Sequence, residues 1–369
     1  MNQLSVQKIR ASFSVCQLPP PLKPPDLLRV IVPSGTLREV DAFNRGIEIW
    51  RSRGYHVQLP QNWNAREGYL AGTDSQRRQQ LLEACLDPKC RGILCARGGY
   101  GSARLLEDWT WPEELKVGKL KVEGSQDNLE PDNLGQKATL REQPVTSTNL
   151  QPSTNQPVTS TNLQPSTNQP VTSALKWLIG FSDITALLWS LGQIGVSGVH
   201  GPLLTTIAGE PEWSLNRLFD WVEGRPIAPL KGVGWGGGKV SGVLLPANLT
   251  VATHLLGTPL QPSLSGVILA LEDVTEAPYR IDRMLTQWRM SGAMAGVKGI
   301  ALGRFSRCAP PKDVPSWSVE EVLRDRIWDL GIPVVSDLPF GHDGVNAALP
   351  VGQLVELDAE AGTLSWVGG

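Results

Sequence analysis

A chain of 369 residues with 41% hydrophobic content is long enough for two domains of ordinary size and can bury a sizeable core. Lysine plus arginine number 34 and aspartate plus glutamate 36, a net charge of −2, so there is no basic footprint for nucleic acid or an anionic membrane surface. No apolar stretch reaches the length of a membrane span, and the first residues lack the apolar core of a signal peptide. The five cysteines (Cys16, Cys85, Cys90, Cys95, Cys308) form no C-x-x-C pair and match no zinc spacing, so they read as buried thiols in a reducing cytosol.

Residues 1–26 are proline-rich at their end and are expected to be a loose leader. A strand over 27–32 closes in Pro33-Ser34-Gly35. A helix follows over 37–53, with Val40, Phe43, Ile47 and Trp50 at helical spacing and Gly54 as its stop. Residues 55–59 alternate as a second strand. Thr73-Asp74-Ser75 opens a helix over 74–86, and 92–96 is a third strand ending in Arg97-Gly98-Gly99-Tyr100-Gly101-Ser102. A further helix begins at 102–108. Strand and helix in alternation predict a parallel sheet.

The hydrophobic period then stops from 116 to 173. QPVTSTNLQPSTN starts at Gln143, repeats at Gln156 and begins again at Gln169, a 13-residue period with only Val and Leu as apolar members. Such a segment cannot bury enough surface to offset chain entropy, so a disordered insertion is expected, with its ends at the surface. The pattern resumes with Trp177-Leu178-Ile179, then Gly180-Phe181-Ser182-Asp183 and a helix. Residues 196–200 form a strand ending in His200-Gly201-Pro202, and 213–221 a short helix. Residues 223–238, rich in Gly and Pro, are expected to link two domains. The second half reads as a strand at 239–244, a helix at 248–256 and a strand at 266–271 ending in Glu272-Asp273. A helix at 281–290, a strand at 297–302, a helix at 319–330, a strand at 334–337 and a terminal hairpin follow.

A serine on the turn between a strand and a helix suits a nucleophile, because the N–H groups of the helix start face it. The competing reading is that Ser182 or Asp183 only caps the helix. A nucleophilic serine needs a base and an orienting group. Of the four histidines, His56 lies within a strand and His254 within a helix. His200 and His342 follow strands in glycine-containing turns, and position favours His342. Glu272 and Asp273 stand at a strand end, where one of them could equally cap the next helix. The glycines at 98, 99 and 101 fit neither phosphate-loop pattern and suit an oxyanion site.

Together the stretches ARGGYGSARLL (96–106), IGFSDITALL (179–188), HGP (200–202), LLGTP (255–259), LEDVTEAPYRIDRMLTQ (271–287) and LPFGHDGVNAALPVG (338–352) resemble the LD-carboxypeptidase family of serine peptidases, in the family's order. The resemblance implies an α/β fold. A parallel-sheet, Rossmann-like or flavodoxin-like N-terminal domain would span 27–222, and an α/β, swivelling-type C-terminal domain 239–369. It makes Ser182 the nucleophile, Glu272 the orienting carboxylate, His342 the base, and the N–H groups of Gly99 and Asp183 the oxyanion donors. The implied reaction removes the terminal D-alanine of a murein tetrapeptide in the cytoplasm during wall recycling. It uses no metal or cofactor, and the enzyme is often a homodimer. Arg97, Arg280 and Arg304 are candidates for the substrate carboxylate, with Tyr100 and Asn248 as further substrate contacts. Arg280 and Arg283 could instead be structural, pairing with Asp282. The family's usual Gly-Gly before Asn-Leu is Pro246-Ala247 here, which affects the expected backbone next to the substrate. Two rivals stand beside this reading. One is a hydrolase of peptidyl-nucleotide antibiotics from the same superfamily, which the 271–285 string disfavours. The other is a binding module without activity, which the intact Ser182, Glu272 and His342 disfavour.

Overall fold

Residues 13–116, 174–310 and 312–367 are described by the structure, a computed structural model. The repeat-bearing stretch 117–173 lies outside them, as do residues 1–12. Strands β1 (Leu27–Ile31), β2 (His56–Gln58), β3 (Cys90–Cys95), β4 (Trp177–Gly180) and β5 (Val199–His200) run parallel in the spatial order β5-β4-β3-β1-β2. Every residue of β4 is buried, as expected for an apolar run covered on both faces. Helix α1 (Val40–Ser52) buries Phe43, Ile47 and Trp50 at the spacing of one helical face. Helix α2 (Asp74–Leu86) starts in a capping box between Thr73 and Gln76.

The buried face of α2 is partly polar. Gln80 Oε1 accepts the Val32 N–H at 2.8 Å, and the fully buried Arg77 donates to the carbonyls of Pro33 and Gly101. Two loops that leave the carboxyl ends of β1 and β3 are thereby tied to one helix. The helix expected from residue 102 is a single 3-10 turn, Ala103–Leu106. Helices α3 (Thr185–Gln193) and α4 (Glu212–Val222) complete this half.

The second sheet has β8 (Lys239–Asn248), β9 (Val267–Val274), β10 (Gly299–Ser306) and β11 (Val334–Ser336) as its parallel centre, with α5 (Leu249–Leu255), α6 (Pro278–Met290) and α7 (Val319–Ile327) in the connections. The expected terminal hairpin is β13 (Leu354–Asp358) with β14 (Thr363–Trp366), and β13 runs antiparallel to β8. The 223–238 stretch is not a free linker. Its β6 (Leu230–Lys231) and β7 (Val233–Gly234) form the two edges of this sheet. Its glycines serve close approach: a Cβ on Gly234 would lie 1.8 Å from the Ala359 carbonyl oxygen.

Three features hold the two sheets together. Strand β12 (Leu349–Pro350) leaves the second half and pairs antiparallel with β5, Leu349 opposite His200. Residues Thr185 to Gly192 of α3 are all buried, and Trp189 Nε1 donates to the Pro246 carbonyl at 2.9 Å. Pro246 and Ala247 themselves are ordinary β8 residues in register with Ala270 and Leu271. Finally, the expected loose leader is anchored over its described part. Phe13, Cys16 and Leu22 are buried, Gln17 N–H bonds Gly195 O, and Cys16 N–H bonds Gly352 O, both at 2.8 Å. Among the described residues all five cysteines are buried and unpaired, and no helix is long and apolar enough to cross a membrane.

Candidate active site

Ser182 follows β4 on a sharp turn. Phe181 is extended (φ −148°), Ser182 is left-handed (φ 63°), and a 3-10 turn, Ser182–Ile184, leads into α3. A positive φ on a residue with a side chain is strained and marks a position held by its surroundings. What holds it is the Asp183 side chain, 2% exposed. Its Oδ2 accepts Ser34 Oγ–H at 2.6 Å and the Ser102 N–H at 2.8 Å, while its carbonyl accepts Ser102 Oγ–H at 2.5 Å. Burial raises the Asp183 carboxyl above its ordinary value, and the bonds from Ser34 and Ser102 pull it back. The sequence pointed only to the backbone N–H of Asp183. Its side chain is the knot joining the β1 loop, the glycine loop and the serine turn. An acid immediately after the serine was the available signal, but it looked like a cap.

The glycine loop comes close to the serine. A Cβ on Gly98 would lie 3.1 Å from Ser182 Cβ and 3.2 Å from its Oγ, so a side chain there would crowd the hydroxyl. Gly99 is left-handed at φ 109°. Arg97, a substrate candidate, donates from Nη1 to the Thr36 carbonyl at 2.7 Å and lies 3.7 Å from Glu39, bracing the β1 loop. Tyr100 is 53% exposed, with its ring 5.9 Å from that of Tyr69.

The second half brings a carboxylate and an imidazole together. Glu272, on β9, is 0% exposed, and its Oε2 lies 2.6 Å from His342 Nδ1. Its Oε1 accepts Asn248 Nδ2 at 3.2 Å, and Asn248 N–H donates to Thr185 Oγ1 on α3 at 3.0 Å. Asn248 therefore connects the serine's helix to Glu272. At 4% exposure it supports the carboxylate rather than facing a ligand. Neither acid is the N-cap of a neighbouring helix: Asn248 caps α5 by accepting the Val251 N–H at 3.1 Å, and Asp273 on β9 accepts the Thr250 N–H in the same first turn at 2.9 Å. Burial pushes its carboxyl up to about 6.

With Nδ1 committed to Glu272, Nε2 is the His342 nitrogen left for proton exchange. The imidazole packs against Phe181, ring centroids 4.5 Å apart, which puts it beside the residue preceding Ser182. Among the described residues no hydrogen bond joins Ser182 to His342. Such a bond often tightens only once substrate is bound.

Of the remaining candidates Arg304 borders the loop that carries His342, its backbone N–H bonding the Phe340 carbonyl at 2.8 Å. Arg304 pairs with Asp337 and lies 3.6 Å from Asp343, lining a cavity of about 440 Å³ with both. Arg280 sits on the surface beside Glu276 at 3.4 Å, and Asp282 is bridged by Arg326 at 3.4 Å rather than by Arg280 or Arg283. His56 is exposed.

His200 does not line a solvent-facing site. It is 0% exposed, sits between Phe181 (5.7 Å) and Phe340 (6.3 Å), and has no hydrogen-bond partner on either ring nitrogen among the described residues. Burial lowers its pKa to about 4. The unfolded chain takes up a proton at about 6.5 while the folded one does not, so folding stability is full above that pH and falls on acidification towards 4. Between pH 7 and 4.5 this contributes a loss of about 2–3 kcal/mol. In urea unfolding, His200→Phe should show a correspondingly smaller loss than the wild type. Equal losses would contradict the assignment.

A family model described as the LD-carboxypeptidase N-terminal domain matches residues 28–122, and one described as its C-terminal domain matches 241–357. A Synechocystis sp. protein provisionally named a carboxypeptidase is 52% identical over 349 residues, 95% of this chain and 97% of its own length. The murein tetrapeptide carboxypeptidase of Pseudomonas aeruginosa is 28% identical over 342 residues, covering 89% of this chain and 90% of its own. The crystal structure of muramoyltetrapeptide carboxypeptidase from Oxalobacter formigenes superposes with a TM-score of 0.68 at 26% identity, covering 92% of this chain and 97% of that one. The microcin C7 self-immunity protein shares the fold, with a TM-score of 0.71 at 18% identity over 95% of this chain and 98% of its own. Fold and relatives define a hydrolase of the carboxypeptidase class. The chain belongs to the LD-carboxypeptidase family.

Proposed function

We propose that this protein is a serine-type LD-carboxypeptidase that releases the terminal D-alanine of a murein tetrapeptide, with Ser182, His342 and Glu272 as its triad. The observation that carries the reading is the 2.6 Å contact between the buried Glu272 and His342, whose ring packs on the residue preceding a left-handed Ser182. His342 Nε2 takes the Ser182 hydroxyl proton as Oγ attacks the amide carbonyl carbon. The N–H groups of Gly99 and Asp183 receive the oxyanion, in a turn that Asp183 itself anchors. Collapse breaks the C–N bond, and His342 returns the proton to the departing D-alanine nitrogen. Water, deprotonated by His342, then attacks the acyl carbon; the C–Oγ bond breaks and His342 returns the proton to Ser182 Oγ, freeing the shortened peptide. Glu272 fixes the tautomer and stabilises imidazolium.

The family resemblance supports the remaining parts of this reading: a homodimer in the cytoplasm, acting in wall recycling and needing neither metal nor cofactor. Arg97, Tyr100 and Arg304 are the substrate-contact candidates with solvent access. The test is free D-alanine measured after incubation with murein tetrapeptide, beside an aminoacyl-sulfamoyl adenosine as the competing substrate. We expect D-alanine release and no cleavage of the nucleotide analogue. The reverse result would assign the chain to the antibiotic-hydrolysing reading, and turnover of neither to the binding module.

A further inference from the structure

The loop that carries His342 is fastened by a residue from the other half of the chain. Glu210 lies between a 3-10 turn, Ile207–Gly209, and α4. Its Oε2 accepts the backbone N–H of Asn346 at 2.8 Å and Ser214 Oγ–H at 2.8 Å. Asn346 is 1% exposed, and its Oδ1 accepts the Gly341 N–H at 3.2 Å across the base of the loop. Gly341 precedes His342. It is left-handed (φ 136°), and a Cβ there would lie 3.0 Å from the Arg304 carbonyl oxygen, so this end of the loop cannot be held by a side chain of its own. Among the described residues Asn346 Nδ2 is buried without a partner, a costly arrangement, and the bonds of its N–H to Glu210 and its Oδ1 to Gly341 hold it in place. The path runs without a gap from Glu210 through Asn346 and Gly341 to His342.

We propose that Glu210 is a positioning residue that clamps the 341–346 loop and so fixes the base against the serine half. Glu272 orients the imidazole from the second sheet, and Glu210 fixes the loop from the first. The proposal rests on the reading of His342 as the base.

The test uses the full chain with Glu210→Ala and Glu210→Gln. Two quantities are read: kcat and KM for D-alanine release, and exchange with water of the His342 Nδ1–H proton, followed by NMR without substrate. Glu210→Ala should lower kcat by about 10-fold or more with KM within about 2-fold, because a misplaced base affects the transition state more than binding. The Nδ1–H exchange should quicken by a similar factor. Glutamine keeps an oxygen that accepts both donors, so Glu210→Gln should lose only about 3-fold in each quantity. That variant carries the test if the alanine form does not fold. Wild-type kcat and exchange in either variant would overturn the clamp, as would a glutamine form as impaired as the alanine form. A wild type that releases no D-alanine would instead refute the functional reading, and the exchange measurement would still decide the clamp.

Discussion

If the proposed triad operates, Ser182→Ala should abolish D-alanine release while the tetrapeptide still binds. The hydroxyl is the only group on this turn able to form the acyl bond, and removing a nucleophile that works as one unit with its base lowers kcat by about 10⁶-fold in comparable hydrolases. The fold should survive. Ser182 makes no hydrogen bond through its hydroxyl among the described residues, and the turn is held by the side chain of Asp183. Alanine keeps the left-handed backbone strain without removing that anchor. Release assays and calorimetric binding on the same preparation decide the matter. Residual release near the wild-type rate would sink the nucleophile assignment. Lost binding together with lost release would point to collapse of the turn.

The second large effect falls on Glu272. Glu272→Gln is close to isosteric, but it places one amide NH₂ where two carboxylate oxygens now accept Asn248 Nδ2 and His342 Nδ1. If the NH₂ faces His342, the imidazole must carry its proton on Nε2 and cannot take one from Ser182. If it faces Asn248, two donors oppose each other at a fully buried position. The first arrangement is the cheaper, because the imidazole can move its proton to Nε2, whereas Asn248 is pinned by Asp273 at 3.1 Å and by the Val251 N–H at 3.1 Å and cannot turn an acceptor to the amide. We therefore expect kcat to fall about 10⁴-fold with KM little changed, the signature of a wrong tautomer. A variant within about 10-fold of wild type would show that Glu272 does not orient the base.

How much of this could be read in the residues depended on the scale of the signal. Strand–helix alternation at 27–96 and the burial of β4 follow from period and apolarity, which are local properties. Ser182, Glu272 and His342 were only candidates by position near strand ends, and the family resemblance rather than local pattern chose them over Asp183, Asp273 and His200. The supporting groups were not. Asp183, Asn248, Arg77 and Glu210 act through contacts with residues remote in the chain, and each has a dull local meaning: a cap, a turn, a helix surface, a loop acid. Composition misled where glycine and proline had a second use. The 223–238 stretch looked flexible because it is glycine-rich. It is instead two sheet edges whose backbones approach too closely for side chains. The proline-rich leader likewise looked loose, although prolines also suit an extended segment lying along a surface. Its described part runs between the two halves, with Cys16 bonded to Gly352 and Gln17 to Gly195.

Strand β12 sets an order of events during synthesis. It closes the β5 edge of the first sheet, yet it is made about 150 residues after β5. Until it emerges from the ribosome, that edge offers unpaired backbone groups to any neighbouring strand. The segment that covers this edge follows directly on the loop that carries His342, the proposed base. The β12 pairing lies seven residues beyond His342, so one late segment would complete both the proposed catalytic arrangement and the protection of this edge from aggregation.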